Sequence, residues 1–365
     1  MRNQIDKPFL FIVISLMLGG FFIFMSASMG LLARGGAEFG VVVFNQAFFG
    51  LIVGSFAVWL FSRINYKLWK KYSIYIFVLS VISTLLVFVP MLGFSHGGAK
   101  RWLLLGPFSV QPAEFLKLGV IVYLAVLFSK AKLRIHLISE GPIPLLIILG
   151  VSGIPLFLQP DTGTFLVITA TAFSMFIIAG GRWKHIAWMF VGATLGFAAL
   201  IASKPYIMER ILTFVNPSRD PSGAGWQLKQ ALIAIGSGGL GGKGFGQSIQ
   251  KFNFLPEPIG DSIFAVSAEE FGFIGAVIII TAFLLFLLRG LYIARRSPDG
   301  FSGLLVSGIV IMIVVQAYLN ISAMLGVLPL TGVPLIFISK GGTAILFALI
   351  GVGIVLNVSR YKRKI

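Results

Sequence analysis

The stretch EPIGDSIFAVSAEEFGF at 257–273 holds Glu257, Asp261, Glu269 and Glu270, four of the chain's 12 acidic residues, at the entrance to a long apolar run. A carboxylate within hydrogen-bond reach of a hydroxyl can take its proton. Ionisable groups at membrane depth are kept where something uses them. Asp261 stands at the amino end of the run, where a helix dipole favours its ionised form; capping that helix is the plainer role for it. Glu269 would lie about 12 Å deeper and about 80° round the helix, so it and Asp261 can look into one cavity, whereas Glu270 lies about 180° away and needs another partner.

Four further stretches carry chemistry-bearing residues. In SVQPAEFLKL at 109–118, Pro112 suits a first helical turn, and Glu114 and Lys117 share a face three residues apart. They read either as a structural ion pair or as part of a water-filled cavity that sets a carboxylate. In LQPDTGT at 158–164, Gln159 and Asp161 break two apolar runs with almost no loop. Asp161 reads as a helix cap or as an acid at a cavity mouth. GSGGLGGKGFG at 236–246 places Lys243 among glycines without the spacing of a P-loop. It reads as a flexible hinge or as a phosphate-approaching backbone with a cation beside it. In ISKGGTA at 338–344, Lys340 is set either to snorkel to the interface or to face the cavity. Carboxylates with nearby cations suit an anionic, hydroxyl-bearing substrate, and the same set suits a transporter that carries protons or ions.

The elements that must hold these residues are apolar. Hydrophobic residues make up 57 % of the chain and charged ones 11 %, with a mean hydropathy of +0.97; a soluble domain carries roughly 25 % charged residues. Ten apolar spans run at about 8–32, 41–62, 73–94, 112–130, 142–158, 163–181, 186–203, 262–288, 302–328 and 333–358. The expected fold is all-α: one polytopic membrane domain over 1–365 with ten transmembrane helices. No cysteine is present, which removes disulfide and thiolate chemistry, and His96, His136 and His185 read as loop residues without zinc spacing.

The net charge of +17 is an orientation signal. With the amino terminus inside, the cytoplasmic segments hold 18 of the 29 basic residues, from Arg2 and Lys7 through Lys132 to Lys362, Arg363 and Lys364. Short outer loops hold only Arg34, Lys100 and Arg101. Both termini are then cytoplasmic, and a nucleic-acid partner is excluded. Most acids gather on the outer side, where no ATP is available. Residues 204–261 form a large outer loop between the seventh and eighth spans, in which GWQLKQALIAIG reads as a short amphipathic helix.

GGAKRWLLLGPFSVQPAEFLKL (97–118), QPDTGT (159–164), DPSGAGWQLKQALIAIGSGGLGGKGFGQSIQKFNFLPEP (220–258) and DSIFAVSAEEFGFIGA (261–276) together resemble the SEDS family of FtsW, RodA and SpoVE. The likeness spans nearly the whole chain in the right order, and the long-loop block is nearer the FtsW and SpoVE branch. The resemblance implies a peptidoglycan glycosyltransferase that polymerises lipid II at the outer leaflet of the bacterial cytoplasmic membrane. It implies a class B penicillin-binding transpeptidase as partner, beside other division proteins and membrane lipid. The family's essential aspartate falls on Asp261, after the LPE motif that holds Glu257; its Glu and Lys after QP fall on Glu114 and Lys117, and its QPD residues on Gln159 and Asp161.

The resemblance thus implies an inverting transfer with Asp261 as general base. Arg101, Lys243 and Lys340 are expected to offset diphosphate charge and Glu269 to support the cavity. Mg²⁺ or Mn²⁺ is the only cofactor class expected, with no organic cofactor. The competing expectations are a lipid II flippase or other transporter, and a non-catalytic division scaffold.

Overall fold

The computed structural model describes residues 4–34, 37–96, 99–105, 108–131, 134–203 and 205–361. Arg2, Lys132, Lys362, Arg363 and Lys364 of the inner-side basic set, and position 204 at the start of the long loop, lie outside the described residues. So do positions 97–98 and 106–107 of the first family-like block.

The first helices are α1 (Lys7–Ser28), α2 (Ala37–Gln46), α3 (Gly54–Phe61), α4 (Lys67–Lys71) and α5 (Ser73–Leu85). A π-helical turn at Ala47–Val53 makes α2 and α3 one continuous span. A small sheet follows, with β1 (Gly93–His96), β2 (Ala99–Leu105) and β3 (Phe108–Val110). Then come α6 (Pro112–Ala131), α7 (Pro142–Leu158), α8 (Thr162–Ile178), α9 (Trp183–Ser203), α10 (Pro205–Val215) and α11 (Ala224–Ser237). The chain ends with α12 (Ile263–Arg295), α13 (Gly300–Met324) and α14 (Gly342–Ser359). Six of the described helices are long and apolar enough to cross a membrane, and three shorter apolar helices accompany them. The chain is an integral membrane protein.

Local chemistry starts these helices where the apolar runs begin. Asp6 caps α1 by accepting from the Phe9 N–H at 3.0 Å, with Pro8 in the first turn. Asp299 and Ser302 form a reciprocal capping box at α13. α13 is the central helix, packed against α12, α6, α8 and α14. Its Leu305, Ile309, Val310, Ile313 and Ala317 are fully buried. Outward-facing Phe11, Phe22, Tyr75 and Trp188 stay exposed, as expected of side chains that meet lipid.

The expected spans need four corrections. The fold is not purely helical: β1, β2 and β3 pair antiparallel in the order β1-β2-β3. They take over Gly93 and Phe94 from the end of the third expected span, because Pro90 removes a helical donor. The final span starts as a helix only at Gly342; residues 333–341 form an irregular segment in which Phe337 has φ 71°. α12 runs on to Arg295 but is broken at Gly272, whose φ 65° and ψ −165° lie in a region only glycine occupies readily. His185 belongs to the first turn of α9 and not to a loop.

One residue, Asp6, ties α1 to α12 and α14. Arg289 of α12 donates to both Asp6 oxygens at 2.9 and 2.8 Å, and the Asp6 N–H donates to Ser359 of α14 at 3.1 Å. α1 also passes against the irregular segment before α14. A Cβ at Gly20 would stand 2.2 Å from the Phe337 carbonyl oxygen, whereas one at Gly19 meets nothing within 4 Å. Gly20→Ala should therefore cost about 1–3 kcal/mol of stability, while Gly19→Ala is neutral or stabilises α1 by up to about 1 kcal/mol. Melting curves of the two purified variants in one detergent decide it: equal midpoints would contradict this packing.

Candidate active site

Asp261 sits in the turn that delivers the chain into α12. The Glu257 carbonyl accepts from the Gly260 N–H at 3.0 Å and the Ser262 N–H at 3.2 Å, closing that turn. Gln227 of α11 donates from Nε2 to Asp261 Oδ1 at 3.2 Å and to Ser262 Oγ at 2.9 Å. Asn320 of α13 donates from Nδ2 to the Asp261 carbonyl at 2.7 Å and the Val333 carbonyl at 2.9 Å. Gly332, at φ 67°, lies beside the carboxylate: a Cβ there would stand 3.9 Å from Asp261 Oδ2. The Lys340 N–H donates to the Ile259 carbonyl at 2.7 Å, and its side chain is exposed. Asp261 is thus fixed through its main chain and one side-chain oxygen.

This setting changes its acidity. Burial of the carboxyl, followed by the charge of Glu257, pushes Asp261 up to about 6; its own backbone N–H, Gln227 and Arg210 pull weakly the other way. A carboxyl at that value is ionised at neutral pH and a better proton acceptor than an ordinary aspartate.

The Glu114–Lys117 pair is buried in α6, with Nζ 2.8 Å from Oε2. Lys117 also donates to Gln316 Oε1 of α13 at 2.5 Å, and Gln316 donates on to the Pro334 carbonyl at 3.1 Å. Asp161 caps α8, accepting from the Thr164 N–H at 3.2 Å and the Thr164 hydroxyl at 2.9 Å, with Gln111 at 3.4 Å. Gln159 donates to the Thr84 carbonyl at 2.6 Å. Arg101, on β2, donates Nε to the Gln159 carbonyl at 3.1 Å and Nη2 to the Pro160 carbonyl, so the sheet clamps the α7–α8 turn.

The glycine-rich segment is a strap docked on the break in α12. The Lys243 and Gly244 N–H groups donate to the Glu269 and Glu270 carbonyls at 3.0 and 2.9 Å, while the Phe273 and Ile274 N–H groups donate back to Gly239 and Leu240 at 2.8 and 3.2 Å. Glu269 turns its carboxylate into this strap, receiving Lys243 at 2.7 Å, Ser248 Oγ at 2.5 Å, and the Ile249 and Gln250 N–H groups at 3.2 and 3.3 Å. Glu270 receives Lys251 at 2.8 Å and the Ser26 hydroxyl of α1 at 2.5 Å.

The structure therefore sorts the expected residues into four groups, the Glu114–Lys117 pair of α6 being one. Asp261 and Glu257 share one turn, joined to Lys340 through the backbone. Arg101, Gln159 and Asp161 share the α7–α8 turn. Glu269 and Lys243 pair in the strap, with Lys251 and Glu270 beside them. GWQLKQALIAIG forms α11, whose Leu228, Ala231 and Ala234 are buried as it packs on α12. Gln227, Asn320, Gln316 and Lys251 were not singled out by sequence. Three are neutral amides without a charge pattern, and Lys251 meets Glu270 only through the folded loop. Among the described residues no three His, Asp or Glu side chains gather to hold a metal ion.

A family model described as cell cycle protein, covering FtsW, RodA and SpoVE, matches residues 7–364. The chain is 39 % identical over 311 residues to stage V sporulation protein E of Bacillus subtilis, with 85 % of each chain covered. It is 38 % identical over an alignment of 367 residues to the probable peptidoglycan glycosyltransferase FtsW of Halothiobacillus neapolitanus, covering 98 % of this chain and 87 % of that one. A chain of a solved peptidoglycan synthase complex, described for its structural coordination of polymerization and crosslinking, superposes with a TM-score of 0.80 at 27 % identity, covering 98 % of both chains. The rod shape determining protein RodA of Thermus thermophilus superposes with a TM-score of 0.69 at 27 % identity, covering 98 % of this chain and 97 % of that one.

Glu257→Gln should lower the Asp261 midpoint below about 6, because it removes a raising charge, and Gln227→Leu should raise it. Infrared titration of the carboxyl band, with Asp261→Asn as the blank, reads both; shifts of the opposite sign would contradict the assignment. Lys251→Met should cost about 3–5 kcal/mol by leaving Glu270 buried and unpaired. The double variant Lys251→Met/Glu270→Gln should recover most of that loss in thermal melting, and a double variant no more stable than the single would contradict the pairing.

Proposed function

The chain belongs to the FtsW, RodA and SpoVE family of cell cycle proteins, and from that we propose that Asp261 is the general base of a peptidoglycan glycosyltransferase polymerising lipid II. The observation that carries this is the caged, raised carboxyl at the entrance to α12. The 4-hydroxyl of the acceptor's N-acetylglucosamine gives its proton to Asp261 as its oxygen attacks the anomeric carbon of the donor. The bond from that carbon to the diphosphate breaks, and its electron pair leaves with the lipid diphosphate. Configuration inverts and a β-1,4 linkage forms. One carboxyl suffices, because diphosphate departs without a proton, unlike the leaving group of a glycosidase.

The other groups prepare this step. Lys340, exposed and tied by its N–H to Ile259, is the cation we assign to the departing diphosphate. Arg101 and Asp161 fix the α7–α8 turn, and the Glu114–Lys117–Gln316 chain locks α6 to α13.

We further propose ten membrane spans in a single domain, both termini cytoplasmic, with 204–261 outside the bacterial cytoplasmic membrane. The charge asymmetry of the sequence supports this orientation. A role in cell division, with other division proteins, follows from the likeness to FtsW and SpoVE relatives. A class B penicillin-binding protein is the proposed partner, supported by the synthase complex that the chain resembles.

Asp261→Asn, purified and given lipid II, should lose about 10²-fold or more of its polymer formation. The wild-type rate should fall on the acid side with a midpoint near 6. The same variant should melt higher than wild type at pH 7.5. A carboxyl whose folded pKa is raised contributes most below its unfolded value of 3.8 and loses that contribution as pH climbs through about 6. The difference in melting should therefore vanish near pH 4. Undiminished polymer from the variant would remove Asp261 from the chemistry, and lipid II movement across vesicles without polymer would favour a transporter.

A further inference from the structure

We propose that Lys243, presented by Glu269, binds the diphosphate of the lipid-linked acceptor. This site rests on the glycosyl-transfer reading of Asp261 and adds to it the far end of the acceptor.

The first support is the contrast between two lysines in the strap. Lys251 is fully buried, and its three N–H bonds are taken by Glu270 at 2.8 Å, the Gly246 carbonyl at 2.9 Å and Ser26 at 3.4 Å. It is a structural counter-charge. The Lys243 side chain is 30 % exposed, and among the described residues its ammonium donates to one acceptor, Glu269. An ammonium has three N–H donors, so two face the open side. Glu269, in turn, is held by Ser248 and by the Ile249 and Gln250 N–H groups as well. The carboxylate keeps these donors when Lys243 shares itself with an incoming anion.

The second support is length. Ile263, the first residue of α12, stands six residues before Glu269, about 9 Å away along the axis, and Asp261 lies in the turn beyond it. In a disaccharide carried on a diphosphate, the attacking hydroxyl and the diphosphate lie at opposite ends of two linked rings, a span of that order. The donor's diphosphate leaves from the very carbon attacked at Asp261, so it cannot reach Lys243. Only the acceptor's can. Docking of the strap fixes the root of this side chain: a Cβ at Gly242 would stand 2.1 Å from the Glu270 carbonyl, so no larger residue fits beside it.

The test uses the full-length protein in lipid nanodiscs, with undecaprenyl diphosphate, undecaprenyl phosphate and inorganic diphosphate as probes. Lys243→Gln should weaken undecaprenyl diphosphate binding about tenfold, leave the monophosphate little changed, and raise the KM for lipid II about tenfold with kcat nearly kept. Inorganic diphosphate losing affinity in parallel marks the diphosphate group as what is read; loss for the lipid probe alone marks the headgroup in its membrane. Lys243→Arg should restore part of the binding. Lys243→Gln/Glu269→Gln, which leaves no buried charge unpaired, gives the same readout should the single variant fail to fold. Wild-type diphosphate binding in both variants would overturn the assignment, as would a fall in kcat at unchanged KM. Lys243-dependent binding in a protein that makes no polymer would sink the transfer reading and leave the diphosphate site standing.

Discussion

Two carboxylates on neighbouring residues of one apolar helix set the hardest condition this fold meets. Glu269 and Glu270 are both buried, and successive helical positions point about 100° apart, so a single cation cannot serve both. Leaving either unpaired would cost several kcal/mol. The chain meets the condition by folding the segment after α11 back onto the helix and bringing Lys243 and Lys251 to the two sides. Much of the outer architecture follows. The strap needs glycines to lie against the helix backbone, with Gly239, Gly242, Gly244 and Gly246 at positive φ. The helix must open at Gly272 to receive it, and Ser26 ties α1 into the same knot.

Asp261 is treated in the opposite way. It stands in the turn that leads into the same helix, yet it receives an amide from Gln227 and has Glu257 as a neighbour. Its backbone is clamped by Asn320 while its carboxylate keeps an uncancelled charge. The molecule supplies lysines to Glu269 and Glu270 but gives this carboxyl, among the described residues, an amide and the weaker pull of Arg210, and so concentrates destabilisation here. The surrounding bundle carries that cost.

Much of this was legible in the residues. Long apolar runs marked the membrane helices, Pro112 and Asp161 marked helix starts, and the three-residue spacing of Glu114 and Lys117 foretold their pairing. The requirement that Glu270 find a partner was visible in its angular position. Which partner was not: Lys251 is distant along the chain, and a loop lysine announces nothing about where the loop will dock. Gln227, Gln316 and Asn320 were silent because a single amide on an apolar helix looks the same whether it clamps a base or faces lipid. The irregular stretch at 333–341 was hidden for a further reason: it is as apolar as a helix, and hydropathy measures burial, not backbone shape.

The pairing of the buried acids bears on how the protein responds to an energised membrane. A transmembrane potential does work on net charge, about 2.3 kcal/mol per elementary charge per 100 mV. Glu114 with Lys117, Glu269 with Lys243, and Glu270 with Lys251 each sum to zero across 2.8 Å or less. Voltage has little purchase on such neutral couples, so depolarising or hyperpolarising the cell leaves their helices where packing put them.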